Sequence, residues 1–291
     1  MRRASRRSTP SCRPRDTGHR LHGAMVTATQ GVRVPTDVMT FNLRYASDRR
    51  PNSWPERRPA LAALLRTSRP AVIGTQEGLF QQLRDIEADL GGRYAWIGTG
   101  REGGSRGEFM AVFYDTGHLA PVEYEHYWLS GTPDVIGSNT WGGSSVRMVT
   151  WVRLRDLWTG GEFYVVNTHL DVSSAVARER SAELILRRLG DLDPSLPVVL
   201  TGDFNVPAHA DPVYEAFLAA GLVDTWDAAG QRGKQYATFH GYEPLVPDGD
   251  RIDWILTSPG VRTHAAEIDT FRLDGQFPSD HLPVQARLSL P

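Results

Sequence analysis

Pro197-Val198-Val199-Leu200-Thr201 runs directly into Gly202-Asp203-Phe204-Asn205. The first five residues have the length and β-branched content of a buried strand, and the glycine marks where it empties. A strand that ends in Gly-Asp-x-Asn sets an acid and an amide side by side at a strand end, where α/β active sites are built. The acid can take a proton from water, and the amide can hydrogen-bond an oxyanion. Similar polar clusters recur along the chain. Phe41-Asn42, Gln76-Glu77 and Asn167-Thr168-His169-Leu170-Asp171 precede it, and Arg251-Ile252-Asp253-Trp254 and Ser279-Asp280-His281 follow. Each reads as lying at the end of a strand.

Strand and helix signals alternate from residue 37 onward, with no repeat and no linker. Asp37–Phe41, Ala71–Gly74, Phe109–Tyr114, Met148–Leu154, Glu162–Asn167, Arg251–Thr257 and Leu282–Leu288 read as strands. Glu56–Ser68 is an amphipathic helix with Leu61, Leu64 and Leu65 on its buried face, and Phe80–Leu90 reads as helical. Ser174 opens a helix that runs to Leu189 ahead of Gly190. Asp211-Pro212 opens another that Gly221 ends. So many strands without strict βαβ regularity predict an α/β fold of two mixed sheets packed face to face, with helices outside.

Of the 291 residues, 40% are hydrophobic and 23% charged, as in an ordinary globular enzyme. No stretch approaches the roughly 18 apolar residues of a membrane helix. Residues 1–36 hold eight Arg against the single acid Asp16, a charge of +7 within a total of −2, which leaves −9 for residues 37–291. That segment predicts a disordered basic tail, with Met25 an alternative start, followed by one domain over 37–291. The sharper reading of the tail is a basic arm for nucleic acid or a membrane surface. Twin arginines at 2–3 and 6–7 hint at export, but no apolar run follows them. Cys12 is the sole cysteine, so the domain uses no disulfide and no thiolate metal site. A monomeric cytoplasmic enzyme is the expectation, and a disulfide-free secreted one the alternative.

The side chains that carry chemistry are Asn42, Glu77, Arg147, His169, Asp203, Asn205, Asp253, Asp280 and His281. Glu77, Asn42 and Asp280 supply hard oxygen ligands, which suit Mg²⁺ or Mn²⁺ rather than Zn²⁺. Asp253 and His281 form a second unit, in which a buried carboxylate sets the tautomer and basicity of the ring. Of nine histidines, only His169 and His281 sit inside polar clusters beside strands. Trp128 and Trp141 lie in the Gly/Ser/Pro-rich segment 128–145. They read as loop packing first, and as a stacking platform for a base, sugar or headgroup second.

Taken together, Phe41-Asn42-Leu43-Arg44-Tyr45, Asn52-Ser53-Trp54, Gly74-Thr75-Gln76-Glu77, Asn167-Thr168-His169-Leu170-Asp171, Gly202-Asp203-Phe204-Asn205, Arg251-Ile252-Asp253 and Pro278-Ser279-Asp280-His281 resemble the endonuclease/exonuclease/phosphatase superfamily, and within it a bacterial branch. The resemblance covers residues 37–291 and implies the DNase I-like fold, a four-layer sandwich of two packed mixed β-sheets flanked by helices. It implies a phosphoester hydrolase that uses Mg²⁺ or Mn²⁺. By position, Glu77 matches the principal metal ligand, and Asn42 the amide beside the metal and the scissile phosphate. Asp203 matches the group that orients or deprotonates the attacking water. Asn205 and His169 match donors to the phosphoryl oxygens. Asp253 and His281 match the Asp–His pair at the phosphate, Asp280 a further acid near the metal, and Arg147 a phosphate contact.

A phosphodiesterase or nuclease using in-line attack of an activated water is the first expectation. A phosphomonoesterase acting on a sugar, inositol or nucleotide phosphate is the second, and a sphingomyelinase-like hydrolase the third. Leu43-Arg44 stands where DNA-repair members carry an acid shortly after the Asn, which argues against an abasic-site endonuclease. The −9 charge of residues 37–291 argues the same way. A non-catalytic scaffold for phosphorylated ligands is disfavoured, because Glu77, Asp203 and His281 are all present. Calcineurin-like chemistry needs Gly-Asp-x-x-Asp and Gly-Asn-His runs, which this chain lacks. Substrate choice is expected in loops 98–108, 128–145 and 229–250.

Overall fold

The computed structural model describes residues 35–291. Residues 1–34 of the expected basic tail, with Cys12 and the alternative start at Met25, fall outside the described residues, and Thr36, assigned to that tail, instead opens β1.

In chain order, β1 (Thr36–Asn42), α1 (Trp54–Ser68), β2 (Val72–Gln76), the short β3 (Gly78–Leu79) and α2 (Phe80–Leu90) come first. β4 (Tyr94–Ile97), β5 (Glu108–Phe109), β6 (Val112–Asp115), β7 (Leu119–Trp128), β8 (Met148–Asp156) and β9 (Glu162–His169) follow. Then come α3 (Ala175–Gly190), β10 (Val198–Asp203), α4 (Pro212–Ala219), β11 (Val223–Asp224), α5 (Thr225–Ala228), β12 (Gln231–Arg232), β13 (Asp253–Thr257), β14 (Arg262–Ile268) and β15 (Val284–Ser289). One mixed sheet runs β12-β14-β15-β1-β2-β6-β4, and the other β11-β13-β10-β9-β8-β7. The predicted class holds: two mixed sheets face each other and helices cover their outer faces.

The pleat explains the layers, because successive residues of a strand face opposite sides. Val38, Val72, Val112, Val165, Val199 and Ile255 form the core between the sheets. Their neighbours Met39, Phe41, Ile73 and Phe113 pack outward under Leu61 and Leu64 of α1 and Leu83 of α2. On the other sheet, Val166, Leu200 and Trp254 pack outward under Ile185 of α3 and Phe217 of α4. Ser174 caps α3 by accepting from Ala177 N, and Asp211 caps α4 by accepting from Val213 N, as the sequence signals predict.

The inner row changes character along the strands. One step from Val165 and Val199 stand Asn167 and Thr201. Gln76 Nε2 donates to Asn167 Oδ1 at 2.7 Å, and Asn167 Nδ2 donates to the carbonyls of Thr75 and Ala111 at 2.8 and 3.0 Å. This buried amide network ties one sheet to the other. Gly74 makes room for it: a Cβ there would overlap Thr201 Oγ1 and lie 2.8 Å from Asn167 Oδ1. Gly74→Ala is therefore expected to destabilise the fold by about 1–3 kcal/mol, the usual cost of overpacking. Denaturant unfolding checks this, and an unchanged midpoint would contradict the close approach.

Several sequence expectations need correction. Phe109–Tyr114 is not one strand. The chain bends at Met110-Ala111, where the Ala111 carbonyl takes hydrogen bonds from Thr75 N and Asn167 Nδ2, and β5 leaves to pair with β3. β7 has no counterpart in the sequence reading. It is an edge strand whose Pro121 sits beside a register shift, so its pattern is broken where proline is tolerated. β4 and β14 were likewise absent from that reading. Arg251–Thr257 is a strand only from Asp253, and Leu282–Leu288 only from Val284. Trp128 is buried at the end of β7, with its Nε1 donating to Arg101 O at 2.6 Å, and Trp141 packs against the core under α3 and α4. Burial of Trp128 rules it out as a stacking platform.

Candidate active site

Beyond the amide network the inner row becomes ionisable. Asp203 lies opposite His169 on β9 and opposite Asp253 on β13. Three neighbouring strands thus present His169, Asp203 and Asp253 in one rung. Asn42 ends β1 on the facing sheet, and its Nδ2 donates to Asp203 Oδ2 at 2.8 Å and to Glu77 Oε1 at 3.0 Å. One amide therefore joins the carboxylates of both sheets.

The backbone holds these groups in costly conformations. Arg44, Glu77 and Asn205 have positive φ angles of 52°, 63° and 56°, which side-chain-bearing residues rarely adopt. Each serves the site. Arg44 N donates to Asn42 Oδ1 at 2.9 Å, and Asn205 N to Asp203 Oδ1 at 2.9 Å. Tyr45 N donates to the other Glu77 oxygen at 3.1 Å. Asn205 Nδ2 lies 3.0 Å from His169 Nε2 and donates to Leu170 O at 3.0 Å.

On the other flank of Asp203, His281 Nδ1 lies 2.9 Å from Asp253 Oδ2, and its Nε2 lies 3.7 Å from Asp203 Oδ2. Ser279 Oγ donates to the Asn42 carbonyl at 2.7 Å, which fastens the 278–281 turn to the end of β1. Burial, with the Asp253 carboxylate second, pushes the Asp203 carboxyl above its usual range. Burial opposes charge on His281, but Asp253 and Asp203 overcome it and raise the ring above an ordinary imidazole. Burial, reinforced by Arg147, holds His169 well below it and so neutral. The surroundings thus push the two rings in opposite directions, His281 toward the charged form and His169 toward the neutral one.

The predicted residues do not all meet. Asp280 turns toward Arg44, whose Nε lies 3.7 Å from its Oδ2, and no hydrogen bond joins it to Glu77 or Asn42 among the described residues. Arg147 is buried, and its Nε and Nη1 have no partner; nor does His169 Nδ1. If His169 Nε2 accepts from Asn205, the ring proton sits on Nδ1. Buried donors without a partner are uncommon, and three such nitrogens on these two residues fall beside Asp203 and the site.

Two groups among the described residues bring three His or Asp ligand atoms within 4.8 Å: Asp203, Asp253 and His281, and separately His209, Asp224 and Asp227. In the first, the Nδ1 of His281 is committed to Asp253. In the second, the Arg251 guanidinium already donates to Asp224 at 2.8 Å. The Glu77 and Asp203 carboxylates flank the Asn42 amide and carry the hard oxygen donors that a Mg²⁺ or Mn²⁺ ion takes.

Residues 39–281 match the Endonuclease/Exonuclease/phosphatase family. The chain belongs to that family. Its members hydrolyse phosphate esters, and this chain is an enzyme of that class. It is 34% identical to a mannosyl-6-phosphatase from Bacteroides thetaiotaomicron, with a TM-score of 0.82 over 87% of this chain and 99% of that one. It is 32% identical to an endonuclease/exonuclease/phosphatase from Bacteroides vulgatus, with a TM-score of 0.84 over 89% and 100% of the two chains. The human Nocturnin catalytic domain shares the fold at 18% identity, with a TM-score of 0.69 over 89% and 94%. A search of curated proteins returned no match. No helix among the described residues is long and apolar enough to cross a membrane.

Proposed function

We propose that this family member is a divalent-metal-dependent phosphomonoesterase acting on a sugar phosphate, the second of the catalytic readings of its sequence. The observation that carries the choice is the buried Arg147, whose Nε and Nη1 have no hydrogen-bond partner, beside a His169 ring that burial pushes toward its neutral form. A monoester presents three unesterified oxygens, one more than a diester, and so rewards extra donors. The likeness to a mannosyl-6-phosphatase supports the same reading.

In this reading Glu77 and Asn42 would hold a Mg²⁺ or Mn²⁺ ion, and Asp280, which here faces Arg44, would be a further acid on that side of the site. Such an ion, when bound, would supply Lewis-acid charge at the phosphate. Asp203 orients a water and takes its proton, which its raised pKa favours. Asn205, His169 and Arg147 hold the phosphoryl oxygens. His281, kept cationic by Asp253, gives a hydrogen bond or a proton to the departing oxygen. Attack is in line, and no covalent phospho-enzyme is needed. The active species we propose is a monomer in the cytoplasm.

A substrate panel tests this reading, with Mg²⁺ and Mn²⁺ in turn. It holds mannose 6-phosphate, p-nitrophenyl phosphate, bis-p-nitrophenyl phosphate, an inositol polyphosphate, single-stranded RNA and duplex DNA. Phosphate release fastest from the sugar monophosphate is the expected result. A preference for a diester would instead select the phosphodiesterase reading, and metal binding without any turnover would favour a phospho-ligand scaffold.

A further inference from the structure

Asn52-Ser53-Trp54 takes no part in the chemistry above, yet the turn it forms leads to an unusual side chain. Arg57 lies on the same stripe of α1 as Leu61, Leu64 and Leu65 and is fully buried, an expensive place for a guanidinium. Among the described residues it forms no ion pair with a carboxylate. All five of its N–H donors go to main-chain carbonyls instead. Nε donates to Asn52 O at 3.0 Å, and Nη1 to Leu43 O and Pro278 O, both at 2.8 Å. Nη2 donates to Arg44 O at 3.1 Å and to Tyr45 O at 3.4 Å. The Trp54 ring lies 5.4 Å from the guanidinium carbon.

These carbonyls belong to the segments that aim the site. The amides of Arg44 and Tyr45 hold Asn42 Oδ1 and Glu77 Oε2. Pro278 precedes Ser279, whose hydroxyl holds the Asn42 carbonyl. Gln82 of α2 braces the same loop, donating from Nε2 to Arg44 O at 3.0 Å.

We propose that Arg57 is a positioning residue for the metal- and phosphate-facing groups of β1 and β2: one guanidinium sets the turn after Asn42 against the turn before Asp280, and through their amides aims Asn42 and Glu77. This rests on the roles given above to those two residues. The cationic fork matters because a lysine, with one nitrogen and three donors, cannot span five carbonyls. A neutral residue would leave buried carbonyls unsatisfied.

The test compares Arg57→Lys and Gln82→Met with Leu64→Ala, which loosens the same helix away from the site. Melting temperature, Mn²⁺ affinity by calorimetry, and kcat and KM on p-nitrophenyl phosphate are read for each. Arg57→Lys is expected to lower kcat by ~30–100-fold with KM little changed, the scale of a small misplacement of reacting groups. Its Mn²⁺ affinity should fall ~10-fold, as when a partner of a metal ligand is lost. Gln82→Met should move both in the same direction by less, and carries the test if Arg57→Lys fails to fold. Leu64→Ala should lower the melting temperature and neither other quantity. Wild-type kcat and Mn²⁺ affinity in a folded Arg57→Lys, or in Gln82→Met where Arg57→Lys does not fold, would overturn the inference. So would equal losses in Leu64→Ala. Absence of Mn²⁺ binding by the wild type would overturn the site reading itself, and this inference with it.

Discussion

Asp203→Asn is expected to lower kcat by about 10²–10⁴-fold, the range associated with a positioned general base. The substitution keeps the shape of the side chain and removes its charge and its capacity to accept a proton. Oδ1 can still take the Asn205 amide, which lies 2.9 Å away. The new amide would face Asn42 Nδ2, now 2.8 Å from Oδ2, so one donor meets another there and the local fit worsens slightly. Against that, burial and Asp253 disfavour the charged form of Asp203 in the folded chain. Removing that charge relieves like-charge repulsion, so the melting temperature should stay within a few degrees of the wild type. Turnover measured beside thermal unfolding decides the matter. Near-normal kcat in the folded variant would strip Asp203 of its role.

Glu77→Ala is expected to weaken Mn²⁺ binding by at least ~10–100-fold, the loss seen when even an outer partner of a metal ligand is mutated. Activity should fall with it. Two donors, Asn42 Nδ2 and Tyr45 N, would lose their acceptor at the same time. The backbone supplies a second readout. Residue 77 has φ of 63°, where any Cβ is strained and glycine is not. Glu77→Gly should therefore be as inactive as Glu77→Ala but more stable than it by about 1 kcal/mol. Calorimetric Mn²⁺ affinity equal to the wild type in either variant would remove Glu77 from the ligand set. Equal stability of the two would deny that strain is stored there.

Much of the site was legible because its residues stand where regular signals stop. Asp203 and Asn205 follow a β-branched run, and Glu77 and His169 each leave a strand. Arg57 was legible in part: it repeats the spacing of Leu61 and Leu64, and a cation on an apolar stripe asks for a partner. Nothing local says that its partners are carbonyls. β7 was illegible because an edge strand with a proline and exposed glutamates lacks the alternation of a half-buried one. Trp128 takes the first of its two readings, packing: it is buried against Met110 and Met148, partners 18 and 20 residues away that no local pattern names.

The chain by itself determined the central strands of both sheets, the N-caps of α3 and α4, the row of polar residues at strand ends, and the family to which these belong. Those properties depend on spacings of a few residues, which a sequence carries openly. Tertiary structure alone decided which groups meet. Asn42 reaches Asp203 across 161 residues, and Arg57 reaches Pro278 across 221. It turned Asp280 toward Arg44, left two nitrogens of Arg147 without a hydrogen-bond partner, and gave His169 and His281 surroundings that favour opposite charge states. Hydrogen bonds act over about 3 Å of space, and at that range only the packing of one sheet on the other sets distance, burial and charge.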